Sequence, residues 1–246
     1  MIPIETLRRA VRAALEEDLG PGDLTSRMVV GEEAGAMGRI VTREPIVISG
    51  LEVARAVFAE VDARVRFDAE RADGEAVGRG TVLARLTGRA RSLLAGERTA
   101  LNFLQRMSGI ATATRRLVDL AGDSPTAISD TRKTAPLLRA FDKEAVRAGG
   151  GSSHRAGLFD AVLIKDNHCR LIGGVGEAVR RARRSMHERD RGALPVEVEV
   201  GSLEELREAL EAGADWILLD NMEPALLEAA VAEARGRACL EVSGGV

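Results

Sequence analysis

The chain predicts an α/β fold: a mixed α+β part at the N-terminus, then a (β/α) barrel from about residue 107 onward. Three observations carry this prediction. In the C-terminal half, strand-like runs recur at roughly twenty-residue spacing with helical runs between them, which calls for parallel strands joined by crossovers. Polar residues keep falling at the C-terminal ends of those strands, where barrels place their chemistry, and this favours a barrel over an open sheet. Before that region, short runs with glycine-bearing turns read as strands of a separate sheet.

Taken in order, Ile4, Leu7, Val11, Ala14 and Leu15 repeat at helical spacing and open the chain on an amphipathic helix. The turn chemistry of "GPGDLTS", Gly20 to Ser26, ends it. From Gly38 to Leu86, "RIVTREPIVISG" and "DGEAVGRGTVLARLTG" read as short strands, and "LEVARAVFAEV" as a helix among them. A second helical pattern runs from about Ser92 to Leu120, with Gly109 as a candidate break. "TAISDTRK" and "DAVLIKDNH" read as two early strands of the parallel series, which "PVEVEV", "DWILLDN" and "ACLEVSGGV" continue. Between these, "SLEELREALEAGA" is a helix opened by a capping box of Ser202 and Glu205 and ended by Gly213. "EPALLEAAVAEARG" is the next helix. The expected domains are 1–106 and 107–246. No Gly-x-Gly-x-x-Gly follows a strand, so a dinucleotide-binding fold has little support.

Composition narrows the function classes. With 45% apolar and 30% charged residues in 246, this is an ordinary globular chain with a real core. Aromatics are 2% with no Tyr, which argues against base-stacking platforms, and a net charge of −3 lacks the basic footprint of duplex binding. No nucleic-acid partner is expected. Cys169 and Cys239 lie far apart and form neither a metal-ligand nor a disulfide pattern, so a reducing compartment is expected. The N-terminus has no apolar signal region, and no stretch approaches the roughly eighteen apolar residues of a membrane span. A cytoplasmic protein without a membrane partner is the expectation.

The candidate site is read from the strand ends. "AISDTRKTAP" sets Arg132 and Lys133 side by side after Asp130, with Arg139, Lys143 and Arg147 following; a solvated charge run is the plain alternative. The next ends offer Lys165, Asp166, Asn167 and His168, then Glu197 and Glu199, then Asp220 and Asn221, then Glu241 and the run Ser243 to Gly245. Period-two geometry puts Glu197 and Glu199 on one strand face and Val196, Val198 and Val200 on the other. Facing a lumen, those carboxylates need Lys, Arg or a metal nearby; an edge strand with one solvated face is the other reading. Asp220 has its own alternative, as a cap on the following helix. In "GGGSSHR", glycines let backbone N–H groups approach an anion, although a flexible turn is the commoner reason for them. His154 and Arg155 end that run.

The cations suit a polyanionic substrate, with Arg gripping carboxylates in bidentate fashion. The carboxylates suit Mg²⁺, which bridges protein acids and substrate phosphates. No Ser–His–Asp or Cys–His context for a nucleophile occurs. The expected chemistry is positioning and charge stabilisation of a phosphorylated substrate, without a covalent enzyme intermediate.

The segments "EDLGPGDLTS", "GERTALNFLQRMSGIAT", "DTRKTAP", "AVRAGGGSSHRAGLFDAVLIKDNH", "VEVEV" and "ILLDN" resemble, in order and over nearly the whole chain, the quinolinate phosphoribosyltransferase family. The resemblance implies an N-terminal α/β sandwich domain, a TIM-like barrel with fewer than eight strands, and a homodimer. It implies a reaction of quinolinate with phosphoribosyl pyrophosphate, dependent on Mg²⁺, that yields nicotinate mononucleotide, pyrophosphate and CO₂. It assigns Arg132, His154 and Arg155, with Lys133 and Lys165, to the quinolinate carboxylates. Arg98, otherwise an exposed helix residue, would reach into the neighbouring subunit's site. Glu199 and Asp220 would hold the Mg²⁺–phosphoribosyl pyrophosphate side, and Ser243 with Gly244 would cradle phosphate. Lys133, Lys165, Glu199 and Asp220 are the implied catalytic set.

The chain departs from the family pattern at Ser153, where Asn is usual, and at Ala135-Pro136-Leu137, where Thr-Pro-Gly is usual. The family typically continues past "SGGV" for another βα unit, so the barrel is expected to lack its last strand and part of the phosphate site. Two rival readings stand beside the enzyme: a relative that binds the anions without turnover, and a paralogous phosphoribosyltransferase with another acceptor. Intact "DTRK", "HR" and "IKDNH" weigh against the last.

Overall fold

The opening amphipathic pattern forms helix α1 (Ile4–Leu19), which buries Val11 and Leu15. "GPGDLTS" does more than end it. Asp23 caps a further short helix, α2 (Leu24–Val29), by accepting the Ser26 N–H at 3.0 Å, as an N-cap aspartate does. The run to Arg89 then forms β1 (Gly35–Val41), β2 (Ile46–Val47), α3 (Leu51–Val61), β3 (Arg66–Ala69), β4 (Ala76–Val77) and β5 (Val82–Arg89). The computed structural model describes residues 1–188 and 194–245.

Among the described residues these strands make an antiparallel sheet of order β1-β5-β3 and an antiparallel pair β2-β4. Their common cover is α4 (Ala90–Ala121), which runs through Gly109 without the expected break. Its buried residues include Gly96, Ala100, Phe103, Leu104, Met107 and Ala111, a stripe of helical period. A Cβ at Gly96 would lie 2.8 Å from the Phe58 ring, so glycine here lets α3 pack closely on α4. α5 (Arg139–Ala148) adds Phe141 and Ala145 to the same core.

The later series is parallel: β6 (Val162–Ile164), α6 (Asp166–Ile172), α7 (Val175–Glu188), β7 (Val196–Val200), α8 (Leu203–Ala212), β8 (Trp216–Asp220), α9 (Pro224–Ala234) and β9 (Cys239–Ser243). Strand order follows the sequence, β6-β7-β8-β9, each neighbour parallel, and parallel neighbours require the intervening helices as crossovers. Val196, Val198 and Val200 sit fully buried with Ile217 and Leu219 in a core of their own. Ser202 accepts the Glu205 N–H at 3.2 Å, but Glu205 reaches back to the Gly201 N–H at 2.7 Å, one residue before the expected partner. Gly213 ends α8 in the left-handed conformation, φ 82°.

One expected strand is corrected. "TAISDTRK" makes no strand; Ser129 forms a single parallel bridge with Ser152, because the segment turns to deliver Asp130 to buried partners described below. The chain divides into two compact units, one from Met1 to Ala156 and one from Gly157 onward, while the expected 106/107 division falls inside α4. No helix of the described residues is long and apolar enough to cross a membrane.

Candidate active site

In the first unit, Asp130 is the hub of two loops. Its side chain is 6% exposed and ion-pairs with Lys143 of α5, also 6% exposed. Asp130 Oδ1 accepts the His154 N–H at 2.9 Å, and Lys143 Nζ donates to the His154 carbonyl at 2.9 Å. The Arg132–Lys133 and His154–Arg155 segments, remote in sequence, are thereby tied to one ion pair. His154 is further set by its ring, whose Nδ1 accepts the Arg155 N–H at 2.8 Å.

Lys133 projects from this frame as an exposed side chain, its own N–H held by Thr131 Oγ1 at 3.0 Å. Arg132 is half-buried, and its Nε lies buried with no hydrogen-bond partner. A buried guanidinium donor left unmet is costly, and a ligand carboxylate would meet it. Arg98 stands exposed on α4 and makes no hydrogen bond or ion pair with another described residue.

Two glycines of the run, Gly149 and Gly151, are required by close packing. A Cβ at Gly149 would lie 2.5 Å from the Ala111 carbonyl, and one at Gly151 would lie 2.7 Å from Val146 and 2.9 Å from Thr114. These glycines let the loop press against α4 and α5. Arg115 fastens it by donating to the Gly149 carbonyl at 2.8 Å. Ser153, the departure from the family pattern, accepts a hydrogen bond from Arg147 at 2.9 Å.

In the second unit, β7 lies between β6 and β8, so it is an interior strand and the solvated-edge reading fails. Glu197 is buried, and Glu199, 14% exposed on its side chain, pairs with Lys165. Lys165 directly precedes α6, and its N–H donates to His168 Nδ1 at 2.9 Å, which makes His168 a helix-opening group.

Asp220 is not the cap of α9; that position is Glu223. Its carboxylate is clamped instead: Ser243 Oγ donates to Oδ1 at 3.1 Å and Asn221 Nδ2 to Oδ2 at 2.9 Å. Asn221 holds a left-handed backbone, φ 53°, a region that Asn tolerates better than most residues. Gly244 (φ 85°) is needed twice over, since a Cβ there would lie 2.2 Å from the Asn221 side chain.

Reading from sequence missed Asp142 and Arg106, and it named Lys143 only as one charge of a run and Asn221 only as a strand-end residue. Asp142 is gripped by both Nε and NH2 of Arg106 at 2.9 and 2.8 Å, and that hydrogen-bonded carboxylate raises the Arg106 pKa above its ordinary value. The available signal was helical phase: Phe141, Asp142 and Ala145 share the buried side of α5.

A mixed unit with antiparallel sheets followed by a parallel unit with carboxylates at its strand ends places the chain among α/β proteins. The comparisons make this specific. Residues 23–108 match the family model "Quinolinate phosphoribosyl transferase, N-terminal domain", and residues 110–246 match its C-terminal counterpart. A probable nicotinate-nucleotide pyrophosphorylase [carboxylating] of Bacillus subtilis is 40% identical over 240 residues, 98% of this chain and 81% of that protein. A chloroplastic nicotinate-nucleotide pyrophosphorylase [carboxylating] of Oryza sativa is 38% identical over 99% of this chain and 69% of its own length. The solved structure of the nicotinate-nucleotide pyrophosphorylase from Francisella tularensis superposes with a TM-score of 0.92 at 39% identity, covering 100% of this chain and 85% of that one. The chain belongs to the quinolinate phosphoribosyltransferase family.

Proposed function

We propose that the protein transfers the phosphoribosyl group of phosphoribosyl pyrophosphate to quinolinate with decarboxylation, giving nicotinate mononucleotide, pyrophosphate and CO₂ for NAD biosynthesis. Beyond family membership, the observation that carries this reading is the pair of cationic segments, Arg132–Lys133 and His154–Arg155, fixed to one buried ion pair. A substrate with two ring carboxylates matches that charge and the bidentate habit of Arg. The ring nitrogen of quinolinate attacks the anomeric carbon as the bond to pyrophosphate breaks and its electron pair leaves with pyrophosphate. The ring then loses its 2-carboxylate as CO₂, and the electron pair left at that carbon, beside the cationic nitrogen, takes up a proton. Lys133 answers charge at the junction of acid and ribose, and Lys165 also serves the quinolinate carboxylates.

Glu199 and Asp220 suit Mg²⁺, a hard cation that prefers carboxylate oxygens. The clamp on Asp220 supports this role: neutral donors orient the carboxylate without neutralising it. Mg²⁺, when bound, supplies countercharge to the pyrophosphate. Ser243 both orients Asp220 and, with Gly244, cradles phosphate. The Ser243→Ala variant should raise KM for Mg²⁺–phosphoribosyl pyrophosphate about tenfold, the loss of one hydrogen bond to a charged group, while KM for quinolinate stays within about twofold; steady-state kinetics in each substrate reads this.

The parallel sheet with its polar strand ends supports a TIM-like barrel, and the two family matches support a functional division near residue 107. A homodimer in which Arg98 serves the neighbouring subunit is supported by the exposed Arg98 and by the exposed apolar side chains Leu24, Met28 and Val29 of α2 and Leu94 of α4. A reducing cytoplasm suits the free thiols of Cys169 and Cys239. Arg98→Ala and Lys165→Ala protomers, each inactive alone, should regain about a quarter to a half of wild-type activity per mixed dimer if sites are shared. Verified mixed dimers without recovery would remove the shared site.

A further inference from the structure

The cations that follow Arg132–Lys133 in sequence, Arg139, Lys143 and Arg147, are each engaged by groups of the protein itself. Two residues of α5, Arg139 and Lys143, reach both site loops, and Asp142 reaches the first. Arg139 donates to Thr134 Oγ1 at 3.1 Å, to the Arg132 carbonyl at 3.3 Å and to the Ala156 carbonyl at 3.0 Å. Asp142 accepts the Ala135 N–H at 3.3 Å. Lys143 pairs with Asp130 and donates to the His154 carbonyl at 2.9 Å.

Of these, Lys143 is the most buried, and its ammonium joins the two loops through the Asp130 carboxylate and the His154 carbonyl. An ammonium removed from water this completely is retained only when paired and fully hydrogen-bonded. Replacement by an apolar chain would leave the Asp130 carboxylate unpaired, with the loops joined through its bond to the His154 N–H and the backbone bond from Asp130 N–H to the Ser152 carbonyl at 3.2 Å.

We propose that Lys143 is a positioning residue for quinolinate: through Asp130 and the His154 carbonyl it sets the Arg132–Lys133 loop in register with His154–Arg155. It touches no substrate itself. The inference rests on the quinolinate reading of the site and adds the group that pre-organises it.

The test is quinolinate binding by calorimetry to the full chain, its Lys143→Met variant and the double variant Asp130→Asn/Lys143→Met. The double variant removes both buried charges, so it keeps a foldable protein should the single one fail. Both variants should bind quinolinate at least about tenfold more weakly than the unaltered chain, with affinity for Mg²⁺–phosphoribosyl pyrophosphate within about threefold. The His154 amide, held by Asp130, should exchange with solvent at least about tenfold faster in Lys143→Met. A folded variant that binds quinolinate as tightly as the unaltered chain overturns the inference, since a merely structural strut would lower the melting temperature and leave the affinity of folded protein alone. Failure of both variants to fold overturns it too, because the pair would then hold the whole unit together. Absence of quinolinate binding by the unaltered chain would instead defeat the functional reading, and the inference with it.

Discussion

Lys133→Ala is expected to lower kcat by about 10²–10³-fold with the fold intact, the loss typical of removing one preorganised group that meets charge developing in the transition state. The side chain is exposed and makes no ion pair or hydrogen bond with another described residue, so its removal leaves no buried group unmet. Its loop is held by other atoms: the Lys133 N–H on Thr131, the Arg132 carbonyl on Arg139 and the Ala135 N–H on Asp142. Stability should therefore change by less than about 0.5 kcal/mol, as for surface substitutions away from special features. Steady-state kinetics at saturating substrates, beside a thermal melt, measures both. A kcat within tenfold of the unaltered enzyme would mean that Lys133 meets no charge in the rate-limiting step.

Gly149→Ala should be the most destabilising single methyl group in the first unit. The backbone there, φ −71°, suits any residue, so strain in the chain is not the reason. The reason is space: the new Cβ would lie 2.5 Å from the Ala111 carbonyl and 2.6 Å from Thr114 Cβ, both parts of α4 that cannot rotate away. Overpacking of this kind costs about 3 kcal/mol, or a fall of roughly 6–12 °C in melting temperature for a chain this long. Gly78→Ala, with nothing within 4 Å of its Cβ, is the matched control and should shift the melt by less than about 2 °C. Equal melts for the two variants would show that the loop does not press on α4 as described. His154 lies five residues on, so the displaced loop should also weaken quinolinate binding.

The parallel series was legible because its strands and helices each carry a local period: β7 and β8 lie where "PVEVEV" and "DWILLDN" predict them, and α3 where "LEVARAVFAEV" does. Local signals also gave Ser202 as the opening of α8. What was not legible depended on distant partners. Whether Glu197 and Glu199 faced solvent turned on β6 and β8 flanking their strand. Asp130 was read as a strand end, but a lysine thirteen residues later draws it inward, and the segment turns instead of extending. The same contact explains Lys143: in sequence it is one more charge in a run, and only the fold makes it a buried strut. Arg132 and Lys133 differ from it in burial rather than in chemistry, and burial is a property of the packed unit.

The central claim is that transfer and decarboxylation are one enzyme's work on quinolinate. Its most direct test uses quinolinate labelled in the 2-carboxylate, incubated with the protein, Mg²⁺ and phosphoribosyl pyrophosphate, with labelled CO₂, pyrophosphate and nicotinate mononucleotide all measured. The account predicts equal amounts of the three, and no CO₂ when phosphoribosyl pyrophosphate is omitted. Pyrophosphate formed without CO₂, or CO₂ released without phosphoribosyl pyrophosphate, would contradict it.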